Sequence, residues 1–492
     1  MREALDDHPN CNCGIIGVVA EDGNIVPELF YGLRVLQHRG QESAGIAVFE
    51  EQINCKKAMG LVPEVFSSEE LSELSGQVGI GHVRYSTEGA SALENAQPIV
   101  ASSIAGDIAL AHNGEVVNAD ELRRELQRKR WAFLTSTDSE VIVRVLANEI
   151  IRTRDVNQAL KEFTGRLIGS YSLVLLVGER LFAIRDPLAI RPLSYGRKDG
   201  MHIVASESVV FDTLGARFIR DLRPGEVLEL TPHGVKSTRL PHPNNSAHCM
   251  FEWVYFSRPD SVLDGRLVYD VRVKIGEEIA REHPVAADIV VPVPDSGRAH
   301  AFGFAQALGL PLMEGLIKNR YIERTFIIPN QEERDIGVHL KLNAIRSLLQ
   351  GKRVVLIDDS IVRGTTMSKI VKLVREAGAK EIHVRIGCPP IRAPCYLGID
   401  MKTRDQFAAN GRTVEQIRDS LGADSLEYIT IEGLVRAISM SEQDLCLGCL
   451  TAVYPVQVPG ERLRPQRRLD LFMERVDSEA ETKASQEVRR QL

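Results

Sequence analysis

The sequence predicts two domains of different class: an α+β half with stacked antiparallel sheets and helical cover, then an α/β half on a mainly parallel sheet. Three observations carry this. From Cys13 to about residue 240, short apolar runs recur between turn signals, the rhythm of many strands with few helices. Beyond residue 245 the rhythm becomes strand then helix, as in parallel βαβ units with right-handed crossovers. Between the two, TPHGVKSTRLPHPNNSAH (231–248) is rich in Pro, Asn and Ser and lacks periodicity, which marks a boundary loop.

Size and composition agree. At roughly 150 residues per domain, a chain of 492 residues has room for two or three domains. Apolar residues at 44% and charged residues at 26% are ordinary for a globular protein and argue against disorder or a fibrous architecture. The net charge of −7 offers no electrostatic footprint for nucleic acid or for an anionic membrane. No run of 18 apolar residues occurs, and MREALDDHPN has no apolar signal core, so a cytoplasmic location is expected. In that setting eight cysteines read as thiols, catalytic groups or metal ligands rather than as a disulfide framework.

In chain order, residues 1–12 precede a sharp change at Cys13, where GIIGVVA reads as a buried strand. GIAVF (45–49), DIALAHN (107–113), YSLVLLV (171–177) and RLFAI (180–184) continue the strand series of a first domain over 13–245. In the second domain, 246–465, DIVVPVP precedes the helical DSGRAHAFGFAQALG. RVVLIDD precedes SIVRGTTMSKIVKLVREAG, and EIHVRIG follows it. The segment 466–492 is a highly charged tail.

The strongest local signal is RVVLIDDSIVRGTT, Arg353 to Thr366. Asp358 and Asp359 fall at the carboxyl end of a strand, where open α/β sheets bind ligands. Ser360, Arg363, Gly364, Thr365 and Thr366 then lead into a helix N-terminus, where hydroxyls, unpaired N–H groups and the dipole favour a phosphate. Walker and dinucleotide fingerprints are both absent. Paired carboxylates before a phosphate cradle suit a sugar phosphate, holding ribose hydroxyls or Mg²⁺; a plain helix cap is the bland alternative. The stretch resembles the diphosphoribosyl-binding motif of type I phosphoribosyltransferases. That resemblance implies a pyrophosphate and Mg²⁺ loop at Asp295, Ser296 and Gly297, with Mg²⁺ at Ser296, Asp358 and Asp359. It also implies a lid carrying Lys318, Arg320, Tyr321 and Arg324, a run that taken alone reads as a solvated loop.

In the first half, Cys13-Gly14 is followed by LQHRGQESAG (36–45), GHVRYST (81–87), LAHNGEVVN (110–118) and STDSE (136–140). These spaced motifs resemble the N-terminal-nucleophile glutamine amidotransferases over 13–240. Such enzymes use their own α-amine, pKa about 8, as the base that activates the side chain. The resemblance therefore implies that residues 1–12 are a propeptide and that Cys13 becomes the first residue. It further implies Arg84 on the glutamine α-carboxylate, Asp138 on its α-ammonium, Asn113 and the Gly114 N–H as oxyanion hole, and Arg39 shaping the glutamine pocket. His82 and His112 read as structural histidines. Cys11 is a rival nucleophile by position only.

CLGC (446–449) joins two thiols in CxxC spacing, with Cys249 and Cys395 far upstream; four thiolates could hold Zn²⁺ or an iron–sulfur cluster, and spacing does not decide. Cys55 and Cys388 read as core residues. Over about 13–455 the two halves together resemble the glutamine phosphoribosylpyrophosphate amidotransferases. Membership implies synthesis of 5-phosphoribosylamine, glutamate and pyrophosphate from glutamine, phosphoribosyl pyrophosphate and water, the entry step of purine synthesis. It also implies Mg²⁺, a [4Fe-4S] cluster on Cys249, Cys395, Cys446 and Cys449, feedback by purine nucleotides, and a homo-oligomer, dimer or tetramer. Two rivals differ in testable ways. Another amidotransferase of the same glutaminase class should lack IDDSIVRGTT, and a non-catalytic phosphoribosyl pyrophosphate sensor should lack the Cys13 set.

Overall fold

The computed structural model describes residues 13–85, 91–104, 106–241, 243, 245–319, 342–458 and 461–463. The expected propeptide with Cys11, the lid residues Arg320, Tyr321 and Arg324, and the charged tail lie outside the described residues.

Thirteen strands build the first half among the described residues: β1 (Gly14–Ala20), β2 (Ser43–Phe49), β3 (Ile53–Met59), β4 (Val78–Arg84), β5 (Ile99–Ser103), β6 (Gly106–Val116), β7 (Gly169–Val177), β8 (Arg180–Arg185), β9 (Ser194–Lys198), β10 (Met201–Ala205), β11 (Arg217–Asp221), β12 (Glu226–Thr231) and β13 (Gly234–Arg239). They form a seven-stranded sheet, β11-β9-β10-β1-β4-β2-β3, and a six-stranded sheet, β13-β12-β8-β7-β6-β5. Pairing within both is antiparallel, for instance β1 with β4 and β6 with β7. The strand period of two explains the apolar runs. On β1, Ile15 and Val19 pack with Ala109, Val174 and Leu181 between the sheets. Ile16 and Val18 face outward, against helix Val26–Val35. Helices Asp138–Thr153 and Val156–Thr164 cover the six-stranded sheet.

The second half is the expected α/β layer structure. Four parallel strands, Ile289–Pro292, Arg353–Asp358, Glu381–Ile386 and Ser425–Tyr428, lie side by side in that order. Helices Val268–Glu282 and Arg298–Leu308 bury one face, through Val271, Ile275, Ala301 and Phe304 against Val290, Val355 and Ile357. Helices Thr365–Glu376 and Val414–Leu421 cover the other. A π-helical turn, Glu252–Phe256, lies at the junction of the halves, where buried ion pairs meet. Arg39 pairs with Glu252, and Arg185 with Asp264.

Candidate active sites

Cys13 immediately precedes β1, whose first residue pairs with Val83 of β4, so the thiol lies beside the end of β4. Its Sγ donates to the Tyr85 carbonyl at 3.6 Å. Burial pushes the thiol pKa up, while the nearby Arg84 guanidinium pulls it down. Cys13, Arg84, Gly114 and Asp138 line one cleft, with Gln97, His112 and Ser139. Arg84 is buried and donates from Nη1 to Glu42 Oε1 at 2.7 Å. Asp138 opens helix Asp138–Thr153, which Thr137 caps by accepting the Glu140 N–H; its carboxylate accepts the Val116 N–H at 3.0 Å. The cleft thus carries a cation and an anion for the two charged groups of an α-amino acid, next to a thiol.

Asn113 lies on β6 with its side chain fully buried, and neither amide atom has a hydrogen-bond partner among the described residues. Such orphaned buried groups are rare and mark strain, catalysis or a missing partner. Gly114 follows with φ +148°, and a Cβ there would stand 2.1 Å from the Ser170 carbonyl oxygen. The two histidines are built into the wall. His82 Nε2 pairs with the His112 carbonyl at 3.0 Å, and burial lowers its pKa to about 3. His112 Nδ1 pairs with Ser139 Oγ at 3.1 Å.

Arg39 corrects an expectation. Instead of lining the cleft, it is fully buried behind Cys13, donating from Nε to the Cys13 carbonyl at 3.2 Å. Nη1 bonds Glu207 Oε1 at 2.6 Å and Glu252 Oε2 at 3.0 Å, while Nη2 bonds Glu252 Oε1 at 2.8 Å. With its donors taken up by protein, it holds the Cys13 backbone rather than a substrate. Sequence reasoning missed both acids because they lie 168 and 213 residues away.

In the second half, two loops meet at the carboxyl ends of adjacent parallel strands. Asp358 ends its strand, and its Oδ1 accepts the Asp359 N–H at 2.9 Å and the Ser296 hydroxyl at 3.3 Å. Ser360 Oγ donates to Asp359 Oδ2 at 2.7 Å, and Gly364, at φ +84°, leads into helix Thr365–Glu376, whose first residues are Thr365 and Thr366. Gly297 is obligatory, since a Cβ would stand 2.3 Å from the Ile357 carbonyl oxygen. Lys318 Nζ lies 3.7 Å from Asp295 Oδ2, with both side chains half exposed. Arg363 is tied to Gln406 Oε1 by Nη2 at 2.8 Å. The sequence reading did not single out Arg272, whose pKa burial lowers to about 10 while neighbouring Asp359 opposes the shift.

The four cysteines come from separate segments into one neighbourhood. Cys249 pairs with Cys446 across the short parallel ladder His248–Cys249 with Leu445–Cys446. Cys449 accepts the Arg392 and Ala393 N–H groups on its carbonyl, both at 3.0 Å. Cys395 Sγ accepts the Leu397 N–H at 3.4 Å. None of the four is in a disulfide. Burial raises the pKa of Cys249 and of Cys395 to about 11, with Arg191 opposing both shifts. Burial also raises Cys449 well above the ordinary thiol value, and Cys395, Cys388, Cys446 and Cys249 add to it. Cys388 therefore lies in the same buried neighbourhood. Among the described residues, no three His, Cys, Asp or Glu side chains group as a single metal ion requires.

Comparison with known proteins matches both halves. Residues 82–213 fit the family model of the glutamine amidotransferase domain, and residues 260–389 that of the phosphoribosyl transferase domain. The amidophosphoribosyltransferase of Methanothermobacter thermautotrophicus is 52% identical over 453 residues, 91% of this chain and 95% of that protein. The Bacillus subtilis amidophosphoribosyltransferase is 42% identical over 463 residues, 93% of this chain and 96% of the relative. Two solved structures align at TM-score 0.86 and 41% identity. One, described as the allosteric regulatory enzyme of purine biosynthesis, covers 92% of this chain and 98% of its own. The other, glutamine phosphoribosylpyrophosphate amidotransferase from B. subtilis complexed with ADP and GMP, covers 93% and 100%. With one family model matched on each half and these relatives aligned over nine-tenths of its length, the chain belongs to the amidophosphoribosyltransferase family, the glutamine-dependent enzymes that aminate phosphoribosyl pyrophosphate in purine biosynthesis.

Proposed function

We propose that the activity is divided between the halves, with Cys13 as nucleophile for glutamine and the Asp295–Gly297 and Asp358–Thr366 loops holding phosphoribosyl pyrophosphate. The observation that carries this reading is the single cleft shared by Cys13, Arg84, Gly114 and Asp138. Residues 1–12 are removed, and the freed α-amine of Cys13 takes the thiol proton. Arg84 binds the glutamine α-carboxylate and Asp138 its α-ammonium. The thiolate attacks the side-chain amide, and the Asn113 amide with the Gly114 N–H stabilises the oxyanion. Ammonia leaves, and water hydrolyses the thioester. In the second site ammonia attacks the anomeric carbon as pyrophosphate departs, with Lys318 beside the leaving group and Ser360, Arg363, Gly364, Thr365 and Thr366 on the 5′-phosphate. Tyr321 belongs to this site by resemblance and lies outside the described residues.

The oxygen donors Ser296, Asp358 and Asp359 suit Mg²⁺, which when bound offsets the charge of the pyrophosphate. A [4Fe-4S] cluster would be held by Cys249, Cys395, Cys446 and Cys449. The donor set fits, since none of the four is in a disulfide, Cys249, Cys395 and Cys449 are buried, the neighbouring thiols raise the pKa of Cys449, and Cys395 already receives an N–H. We further place the border of the halves at 245/246 and the end of the second at 465. The enzyme works as a homo-oligomer in the cytoplasm and under purine-nucleotide feedback, the feedback being supported by the relative's complex with ADP and GMP. N-terminal sequencing of an active preparation should begin at Cys13; Met1 at its start would defeat the mechanism. Metal analysis of anaerobically purified protein should find iron and sulfide in equal amounts, whereas stoichiometric zinc without visible absorbance would replace the cluster.

A further inference from the structure

One carbonyl of the second half collects three donors from the first. Leu397 O accepts the Ser170 hydroxyl at 2.8 Å, Arg191 Nε at 3.0 Å and Arg191 Nη2 at 2.5 Å. All three residues are buried. Ser170 Oγ in turn accepts the Glu115 N–H at 3.2 Å, one residue beyond Gly114. The next loop residue, Gly398, has φ +95°, and a Cβ on it would stand 2.9 Å from Gly114 C and 3.1 Å from Gly114 Cα. On its other side Gly114 backs onto the Ser170 carbonyl, 2.1 Å from where its own Cβ would lie. Glu115 is held by the same segment, with Lys402 Nζ at 3.2 Å from Oε1 and the Gly398 N–H facing its carboxylate.

Gly114 has no Cβ to restrict φ and ψ, so beyond its place opposite Tyr171 in the β6–β7 ladder its direction is set by what lies against it. Those neighbours are Ser170 from β7 and Gly398 from the other half of the chain. An oxyanion donor works only if its N–H is already aimed where the charge will develop. We infer, resting on the assignment of Asn113 and Gly114 as the oxyanion hole, that the Leu397–Gly398 loop is a positioning element of that hole, supplied by the second half and clamped through Ser170 and Arg191. The first half alone leaves the Gly114 peptide without one of its two walls. Leu397 and Gly398 act through Gly114 and touch no substrate.

The test compares Gly398→Ala, Ser170→Ala and Asn113→Ala in the full, processed enzyme, each first checked for a normal melting transition. Steady-state hydrolysis of glutamine gives kcat and KM. The second readout is binding of the aldehyde analogue of glutamine, set against binding of glutamate. The aldehyde forms a hemithioacetal: the Cys13 S–C bond forms, and the thiol proton passes to the former carbonyl oxygen, which occupies the oxyanion position. Gly398→Ala should lower kcat by about tenfold or more with little change in KM, and weaken aldehyde binding by a similar factor while glutamate binding holds. Ser170→Ala, which removes one donor without adding volume, should shift the same quantities in the same direction and decides the matter if Gly398→Ala fails to fold. If Asn113→Ala loses aldehyde affinity while the other two variants keep it, the oxyanion hole stands and the positioning loop is wrong. If Asn113→Ala keeps that affinity, the assignment of the hole falls, and this inference with it.

Discussion

His82 lies fully buried on β4 beside the Cys13 cleft, where burial pulls its pKa down to about 3, with Arg84 pulling the same way. In the unfolded chain the value is about 6.5. The unfolded state therefore binds the extra proton first as pH falls. The stability that comes from keeping this ring neutral is complete above about pH 6.5 and is lost progressively toward pH 3, by at most about 1.4 kcal/mol per pH unit. His82→Gln keeps a polar group of similar reach without the titration. Its melting temperature should fall less steeply than that of the parent between pH 6.5 and pH 4.5; parallel profiles would contradict the assignment. The residue scale also shows what sequence conveys. That Cys13, Arg84, Gly114 and Asp138 belong together in one cleft was legible because each sits in a short motif whose chemistry is local. Arg39 was misassigned because a motif says nothing of direction: its side chain turns to Glu207 and Glu252, which no local pattern links to it.

The loops after the parallel strands are where element geometry becomes chemistry. Asp358→Asn with Asp359→Asn should cut synthesis from glutamine and from ammonia alike by one to two orders of magnitude, about 1.4 to 2.7 kcal/mol of transition-state stabilisation. If these acids only capped a helix, the variant would melt lower but turn over normally. Gly297→Ala forces a Cβ to 2.3 Å from the Ile357 carbonyl oxygen, so the loop must shift, and KM for phosphoribosyl pyrophosphate should rise with either nitrogen source. An unchanged KM would place the pyrophosphate elsewhere. Both loops were legible in sequence, since a strand, a turn and a helix follow one another within twenty-odd residues. The sheet order of the first half was not. β1 is buried along its whole length between two covered faces, so its apolar run announces a strand without naming neighbours. Those neighbours, β4 and β10, come from distant parts of the chain.

At the scale of the molecule, charges are buried where the two halves meet. Arg39, 1% exposed, pairs with Glu207 at 2.6 Å and Glu252 at 2.8 Å, the latter on the π-helical turn. Arg39→Leu would leave those acids with fewer partners in a dry setting, and removing one member of a buried pair costs roughly 3–5 kcal/mol. A clear drop in melting temperature is expected, with glutamine hydrolysis impaired beyond the loss of folded protein because the Cys13 carbonyl loses its donor. A melting point equal to the parent's would show the pair to be dispensable. Such contacts escape sequence reading because they join segments that share no motif. The central claim remains that two chemistries occupy two sites in one chain. Its most direct test is synthesis of 5-phosphoribosylamine by Cys13→Ala with glutamine and, separately, with a high concentration of ammonia. Synthesis from glutamine should vanish while synthesis from ammonia persists near the parent's rate; loss of both in a folded protein would contradict the division.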